Sequence, residues 1–247
     1  GVYVDEAHHA FGATLEKDLM RKGKTSLRLT IDELAAGLKE TGTRVVGCYN
    51  YTGTPFVESK VLPEVVYAYG LKPAIDNAYL KQVRIEGYSN TKAKEFIKAV
   101  VTDFWNEHKG RRYEGMLPKL AFFSSTIEEC TTELRPALEH VLADMGIPLT
   151  SILVNVGDDK VTTNDDIREF NLLDTPGSEK QFILLVNKGK EGWNCRSLFS
   201  VALHRKPKST VFVLQATMRC LRAISNIQQQ AAVHLSEENK TILDDEL

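Results

Sequence analysis

The sequence predicts an α/β protein built from parallel sheets flanked by helices, and three observations predict it. Apolar runs of strand length recur along the chain: "VYV", "TRVVGCY", "KLAFFSS", "TSILVNV", "KQFILLVN" and "RSLFSVAL". Between them lie segments with apolar residues at helical spacing and recognisable caps, so strands and helices alternate as they do in parallel sheets. Several runs end in acidic, hydroxyl or glycine residues, at the strand tips where open α/β sheets carry their ligands.

The elements follow in order. "VYV" runs directly into Asp5 and Glu6, then His8 and His9. Thr30 to Glu33 reads as a capping box, with Leu34, Ala35 and Leu38 at helical spacing and Gly42 as the stop. Arg44 to Tyr49 reads as a second buried strand that turns at Gly53 and Pro55. Residues 56–90 mix short helical and strand signals around Pro63, Gly70 and Pro73 and read as a connector. Residues 91–109 form an amphipathic helix with Phe96, Val100, Phe104 and Trp105 on one side, ended by Gly110. A second α/β series follows. Ser125 to Glu128 is a capping box opening a helix interrupted near Pro136. "NDDIREFNLLD" is a short helix, "STVFVLQATMRCLRA" a helix capped by Ser209, and "AAVHLS" a last strand before an acidic helical tail.

Composition narrows the function classes. The chain has 247 residues, 43% of them hydrophobic and 26% charged, with a formal net charge of −2. That is ordinary for a globular protein and excludes a bulk basic field, so contact with nucleic acid would have to be local. The four cysteines are widely spaced with no CxxC pair, and read as buried hydrophobes in a reducing compartment. No apolar run approaches 18 residues and no signal peptide is present, so neither a membrane span nor export is expected and the cytoplasm is the expected location. Because Gly1 stands at the edge of an apolar strand, the chain reads as a fragment of a longer protein.

Four constellations could carry chemistry. Adjacent carboxylates at a strand tip can divide two tasks, Asp5 holding a magnesium ion through water and Glu6 orienting a hydrolytic water. "YTGTP" puts the hydroxyls of Thr52 and Thr54 on either side of Gly53. "KGKEGWNCRS" follows an apolar strand and offers Lys188, Lys190 and the permissive Gly189 and Gly192 to a phosphate. "QATMRCLR" places Gln215, Arg219 and Arg222 at helical spacing, and guanidiniums aimed at a γ-phosphate stabilise its transition state. Taken singly, each is equally at home as a solvated turn or an amphipathic face.

Their order is more specific. Asp-Glu-Ala-His, Thr-Gly-Thr-Pro, the Gly-Trp loop and Gln-x-x-x-Arg-x-x-Arg together resemble superfamily 2 helicases and translocases of the DEAD/DEAH type. "VDEAHH" resembles the Walker B element, "TGTP" motif III, "LAFFSS" motif IV, "NKGKEGWNCRSLFSVAL" motif V and "QATMRCLR" motif VI. "EGWN" and "YAYGLKPAIDNAYLKQV" are most similar to the Res subunits of type III restriction enzymes. The resemblance implies the C-terminal part of one RecA-like domain (1–60), a connector (61–115) and a nearly complete second RecA-like domain (116–247). It implies an ATP-dependent, magnesium-requiring DNA motor that hydrolyses ATP in the cleft between those domains. RNA stays open as the track, and a modification or specificity subunit is an expected partner.

The resemblance also assigns roles. Asp5 binds magnesium, Glu6 activates water, and His8 couples the nucleotide to Thr52, Gly53 and Thr54. Gly192, Trp193 and Asn194 meet nucleotide and nucleic acid, together with Lys188 and Lys190. Arg219 and Arg222 reach the γ-phosphate with Gln215 in support. Ser124 and Ser125, before a helix N-terminus, seat a nucleic-acid phosphate. Arg205, Lys206 and Lys208 are further basic candidates.

Three departures qualify this. Asn194 stands where the family usually has Asp, and Met218 where it usually has Gly, so activity tuned downward, or a non-hydrolysing binding or scaffolding module, is the alternative. No GxxxxGK[ST] loop is present: Gly23-Lys24-Thr25 mimics its end, but the leading glycine would fall at Asp18. The phosphate loop is therefore expected upstream of Gly1, and the fragment alone is expected to be inactive. No Asp…Glu-x-Lys nuclease cluster is evident, so any nuclease is expected beyond Leu247.

Overall fold

A computed structural model describes residues 1–5, 7, 26–53, 56–57, 60–61, 65–186, 193–207 and 209–246. The chain forms two compact units, residues 1–68 and 69–247.

In the first unit, β1 (Val2–Val4) and β2 (Cys48–Asn50) pair in parallel, with Val2 opposite Cys48 and Val4 opposite Asn50. The pairing continues past the strands, since Tyr51 N donates to Val4 O and Ala7 N to Tyr51 O, both at 2.8 Å. Helix α1 (Ser26–Glu40) makes the crossover that a parallel pair requires. It starts ahead of the expected capping box, so Thr30 and Glu33 lie inside it. It stops where expected: Gly42 adopts φ +75° and its N–H returns to Lys39 O. Two-residue strands β3 (Phe56–Val57) and β4 (Lys60–Val61) pair antiparallel. The expected buried strand Arg44–Tyr49 is shorter and exposed: residues 44–47 are not strand, and Val46 is 84% exposed. Among the described residues β2 has β1 as its sheet partner, so its apolar side chains have little to cover them.

The second unit contains α2 (Leu71–Asp76), β5 (Gln82–Tyr88), α3 (Lys94–His108), β6 (Lys119–Ser124), α4 (Ile127–Glu129) and α5 (Arg135–Asp144). There follow β7 (Ile152–Asn155), α6 (Asn164–Asn171), β8 (Phe182–Leu185), β9 (Leu198–His204), α7 (Thr210–Thr217), β10 (Gln230–Ser236) and α8 (Glu237–Glu246). The six strands form one parallel sheet in the order β5-β10-β9-β6-β8-β7. The expected α/β class is what the structure shows. Segment 61–115, read from sequence as a connector, supplies the edge strand β5 and helix α3 to this sheet.

Both faces of the sheet are covered, which is why its strands read as continuous apolar runs. Leu120 and Phe122 of β6 face α3 and α5, packing with Phe96, Val100, Phe104 and Leu138. Ala121 and Phe123 face the other way, into a core with Val213 and Ala216 of α7 and Leu243 of α8. The interruption expected near Pro136 is a π-helical turn, Cys130–Leu134, between α4 and α5. Proline lacks an N–H and its ring crowds the carbonyl four residues back, which the wider turn relieves. The N-cap of α4 is Thr126, whose Oγ1 accepts Glu129 N, one residue later than expected.

The neighbouring strands β6 and β9 continue in opposite directions, β6 toward β7 and β9 toward β10. This is the switch point of the sheet, and its crevice lies at their C-terminal ends, where Ser124 and His204 are in register.

Candidate functional site

In the first unit, the parallel register of β1 and β2 brings Asp5 and the Thr52–Gly53 turn to the same end of the pair. Asp5 is exposed, Thr52 half-buried and Gly53 exposed. Glu6, His8 and Thr54 lie outside the described residues, as do Lys188, Lys190, Gly192 and Lys208.

The second unit holds two clusters at opposite ends of its strands. The first is the arginine turn. The helix expected to carry Arg219 and Arg222 ends earlier: α7 stops at Thr217, Met218–Leu221 is a 3-10 turn, and Arg222 is extended (φ −56°, ψ 126°). The cause is local. Thr217 Oγ1 turns back onto Val213 O at 2.7 Å, Cys220 Sγ reaches Thr217 O, and Arg222 forms a bridge with Leu80. The two arginines converge nonetheless. Arg219 Nη1 donates to Trp193 O at 2.5 Å, and Arg222 Nη1 donates to Asn194 Oδ1. Trp193 is buried and stacks on Phe170, its ring centre 5.0 Å away, while Asn194 is exposed. Gln215 is half-buried in α7.

The segment that receives the arginines is itself tied down. Asp174 accepts Ser197 N at 2.9 Å and pairs with Arg196, which also pairs with Glu114 at 2.9 Å. Burial opposes ionisation of Asp174, but the Ser197 hydrogen bonds and Arg196 outweigh it and hold its pKa below the usual value. Lys81 is 1% exposed and spends its ammonium on three carbonyls: Arg196 O at 2.7 Å, Leu198 O at 2.9 Å and Cys220 O at 3.0 Å. It also lies 4.3 Å over the Phe199 ring, and burial brings its pKa down to about 8. Neither Lys81 nor Asp174 is among the residues expected from sequence. The one signal was a lysine directly ahead of a strand hidden in an apparent connector.

The second cluster lies at the switch point. Ser124 is fully buried at the end of β6, and among the described residues its Oγ has no hydrogen-bond partner. Ser125 is half-buried and accepts Lys92 Nζ at 3.3 Å. Lys92 also pairs with Glu129, which meets His204 Nδ1 at 2.8 Å. Burial, reinforced by the charge of Lys92, lowers the His204 pKa to about 4, so the imidazole is neutral near pH 7. Arg205 stacks on Phe212 at 4.2 Å. Along the seven residues of β9, at about 3.3 Å each, this cluster stands about 20 Å from the start of the strand beside the arginine turn. The sequence put the Gly-Trp loop and Ser124–Ser125 after strands and the arginines on a helix; the structure puts the two clusters at opposite ends of β9.

Among the described residues no group of His, Cys, Asp and Glu side chains has the geometry to hold a metal, and no helix is long and apolar enough to cross a membrane.

No family model and no curated protein matches the sequence. Solved structures do. A fragment assigned to the HsdR subunit of a type I restriction enzyme from Vibrio vulnificus YJ016 superposes with a TM-score of 0.64 at 15% identity, over 79% of this chain and 41% of that one. The ATP-dependent type ISP restriction-modification enzyme LlaBIII bound to DNA gives 0.54 at 16% identity, over 94% and 18% respectively. S. cerevisiae Dbp5 bound to RNA and ADP BeF3 gives 0.51 at 12% identity, over 98% and 55%. The chain thus spans less than half the length of the first two. At these identities the likeness is one of fold: the chain has the RecA-like architecture of helicase-type domains.

Proposed function

We propose that the chain is the motor segment of an ATP-dependent DNA translocase or helicase of the restriction-modification kind, most similar to the type III Res subunit. The observation that carries this reading is the convergence of Arg219 and Arg222 on Trp193 and Asn194. Two sequence elements that resemble motifs V and VI, more than 20 residues apart, meet beside the start of the interior strand β9 of a RecA-like sheet.

Each residue has a part in this reading. The exposed carboxylate of Asp5, at a strand tip beside Thr52, suits a magnesium ion held mostly by water, and that ion would neutralise phosphate charge. Glu6 orients the attacking water. Arg219 and Arg222 stabilise charge on the γ-phosphate, with Gln215 beside them. Half-buried Ser125 at the switch point, with Lys92 and Arg205 near it, offers a hydroxyl and cations to a nucleic-acid backbone, so binding should weaken with salt, whereas the fully buried hydroxyl of Ser124 does not reach that surface. DNA is the favoured track because two of the neighbouring folds are restriction enzymes; Dbp5 bound to RNA keeps RNA as the comparison.

The alternative is a non-hydrolysing binding or scaffolding module. One observation favours it: neutral Asn194, where the family has Asp, already satisfies Arg222. DNA-stimulated ATP hydrolysis by the protein that carries this chain separates the two. Glu6→Gln and Arg219→Ala should each lower kcat, the arginine change by about 10³-fold or more. Hydrolysis unchanged by both substitutions removes the motor assignment.

A further inference from the structure

The arginine turn is a short 3-10 segment followed by extended backbone, and so has few hydrogen bonds of its own to fix it. What surrounds it comes from residues 80–82. Lys81 N donates to Leu221 O at 2.7 Å, Leu80 bridges Arg222, and Lys81 Nζ donates to Cys220 O. The same ammonium reaches back to Arg196 O and Leu198 O, on either side of the turn into β9. Its three protons thus join the residue after Arg219 to the segment two residues beyond Asn194. A buried ammonium is unfavourable unless each N–H finds an acceptor, and here each does. A plain core position would be filled by leucine or methionine at lower cost, so the geometry asks for a function.

We propose that Lys81 is a positioning residue for the arginine pair: its ammonium clamps the 218–222 turn to the 194–198 segment and thereby sets where Arg219 and Arg222 present their guanidiniums. The inference rests on the ATP-hydrolysing reading above. Lys81 does not touch substrate; it acts through the two backbone segments it joins. Phosphoryl transfer gains its rate from charge placed where the transition state needs it, so a displaced guanidinium should cost turnover rather than nucleotide affinity.

The test is steady-state, DNA-stimulated ATP hydrolysis by the protein that carries this chain, with Lys81→Met, Lys81→Arg, Arg219→Ala and the Lys81→Met/Arg219→Ala double variant. Melting curves verify that each is folded. Lys81→Met should lower kcat by about 10- to 10²-fold while KM for ATP stays within about threefold. Lys81→Arg, which keeps the charge and several donors, should recover most of the rate. In the double variant Lys81→Met should slow turnover by less than it slows the wild type, because Lys81 then works through Arg222 alone. A folded Lys81→Met protein with kcat near wild type, or losses that multiply in the double variant, overturns the proposal while leaving the motor reading intact. Wild-type turnover in Arg219→Ala overturns both. Where Lys81→Met does not fold, the same cycle is run with Lys81→Gln, which removes the charge but keeps an N–H donor, and multiplying losses count against the proposal in the same way.

Discussion

All six residues of β6 and all seven of β9 are buried, whereas all three residues of β2 are exposed and Tyr3 of β1 shows 70% of its surface. The strands are alike in sequence, short and apolar, and both sets pair in parallel. What differs is cover. In the second unit α3 and α5 close one face of the sheet and α7 and α8 the other. In the first, Tyr3 and Tyr49 stack on each other at 5.1 Å and otherwise face outward. An apolar strand is therefore a statement about what the chain can bury, and neighbouring elements decide whether it does. Stability should be concentrated accordingly.

The most direct way to break that comparison is to cut one side chain from each region. Phe122 is fully buried beneath α3 and α5 in the second unit, and Phe122→Ala should cost about 3–5 kcal/mol, the transfer free energy plus a cavity. Val46→Ser, at a position 84% exposed, should stay within about 0.5 kcal/mol. Urea midpoints at constant slope read both. Similar losses at the two sites would show that the segment leading into β2 is covered in solution and that the contrast is wrong.

Acid sharpens the comparison next, because the core of the second unit encloses histidines. His108 is 3% exposed, packed on Phe104 and Phe199 with Tyr113 near its ring. Burial, aided by the charge of Arg111, lowers its pKa from 6.5 to about 4. The folded value lies below the unfolded one, so the unfolded chain binds more protons between them. The fold is favoured fully above pH 6.5 and loses that contribution as pH falls toward 4, by roughly 3 kcal/mol for His108. His204 titrates in the same window. Denaturation midpoints at pH 7.5, 5.5 and 4.5 should fall steeply, and His108→Phe should flatten part of the slope. A flat profile in the wild type would show that water reaches these rings.

The same contrast explains what was readable in the sequence. β6, β8 and β9 stood out because burial on both faces demands unbroken apolar runs. β5 did not, since "QVRIEGY" carries Arg84 and Glu86 on an edge strand, where Asp103, bonded to Arg84 at 2.7 Å, supplies the missing partner from α3. No local pattern announces an ion pair that tertiary structure completes. The arginine turn was misjudged for a related reason. Residues 210–221 have helical spacing throughout, yet Lys81 and Leu80 capture the backbone at 221–222 and end the helix early. Motif order pointed to Asp5, Ser124, Trp193, Asn194, Arg219 and Arg222 because residue types in sequence suffice for that. Lys81 could not be found this way: its partners are three backbone carbonyls, which leave no trace in residue identity.

The smallest effect tests the comparison from inside the second unit. Helix α6 fully buries none of its residues and meets the core through half-buried Phe170. It is held at its start: Asp166 N donates to Thr163 Oγ1 at 3.1 Å, and Thr163 N donates to Asp166 Oδ2 at 2.9 Å, a reciprocal capping box. Thr163→Ala removes one half and should cost about 1 kcal/mol; Asp166→Ala should cost a similar amount. Because the two bonds share one geometry, the double variant should lose less than the sum of the singles. Additive losses would mean that the caps act independently and that packing of half-buried Phe170 against Trp193, rather than the box, fixes this helix beside the segment receiving Arg219.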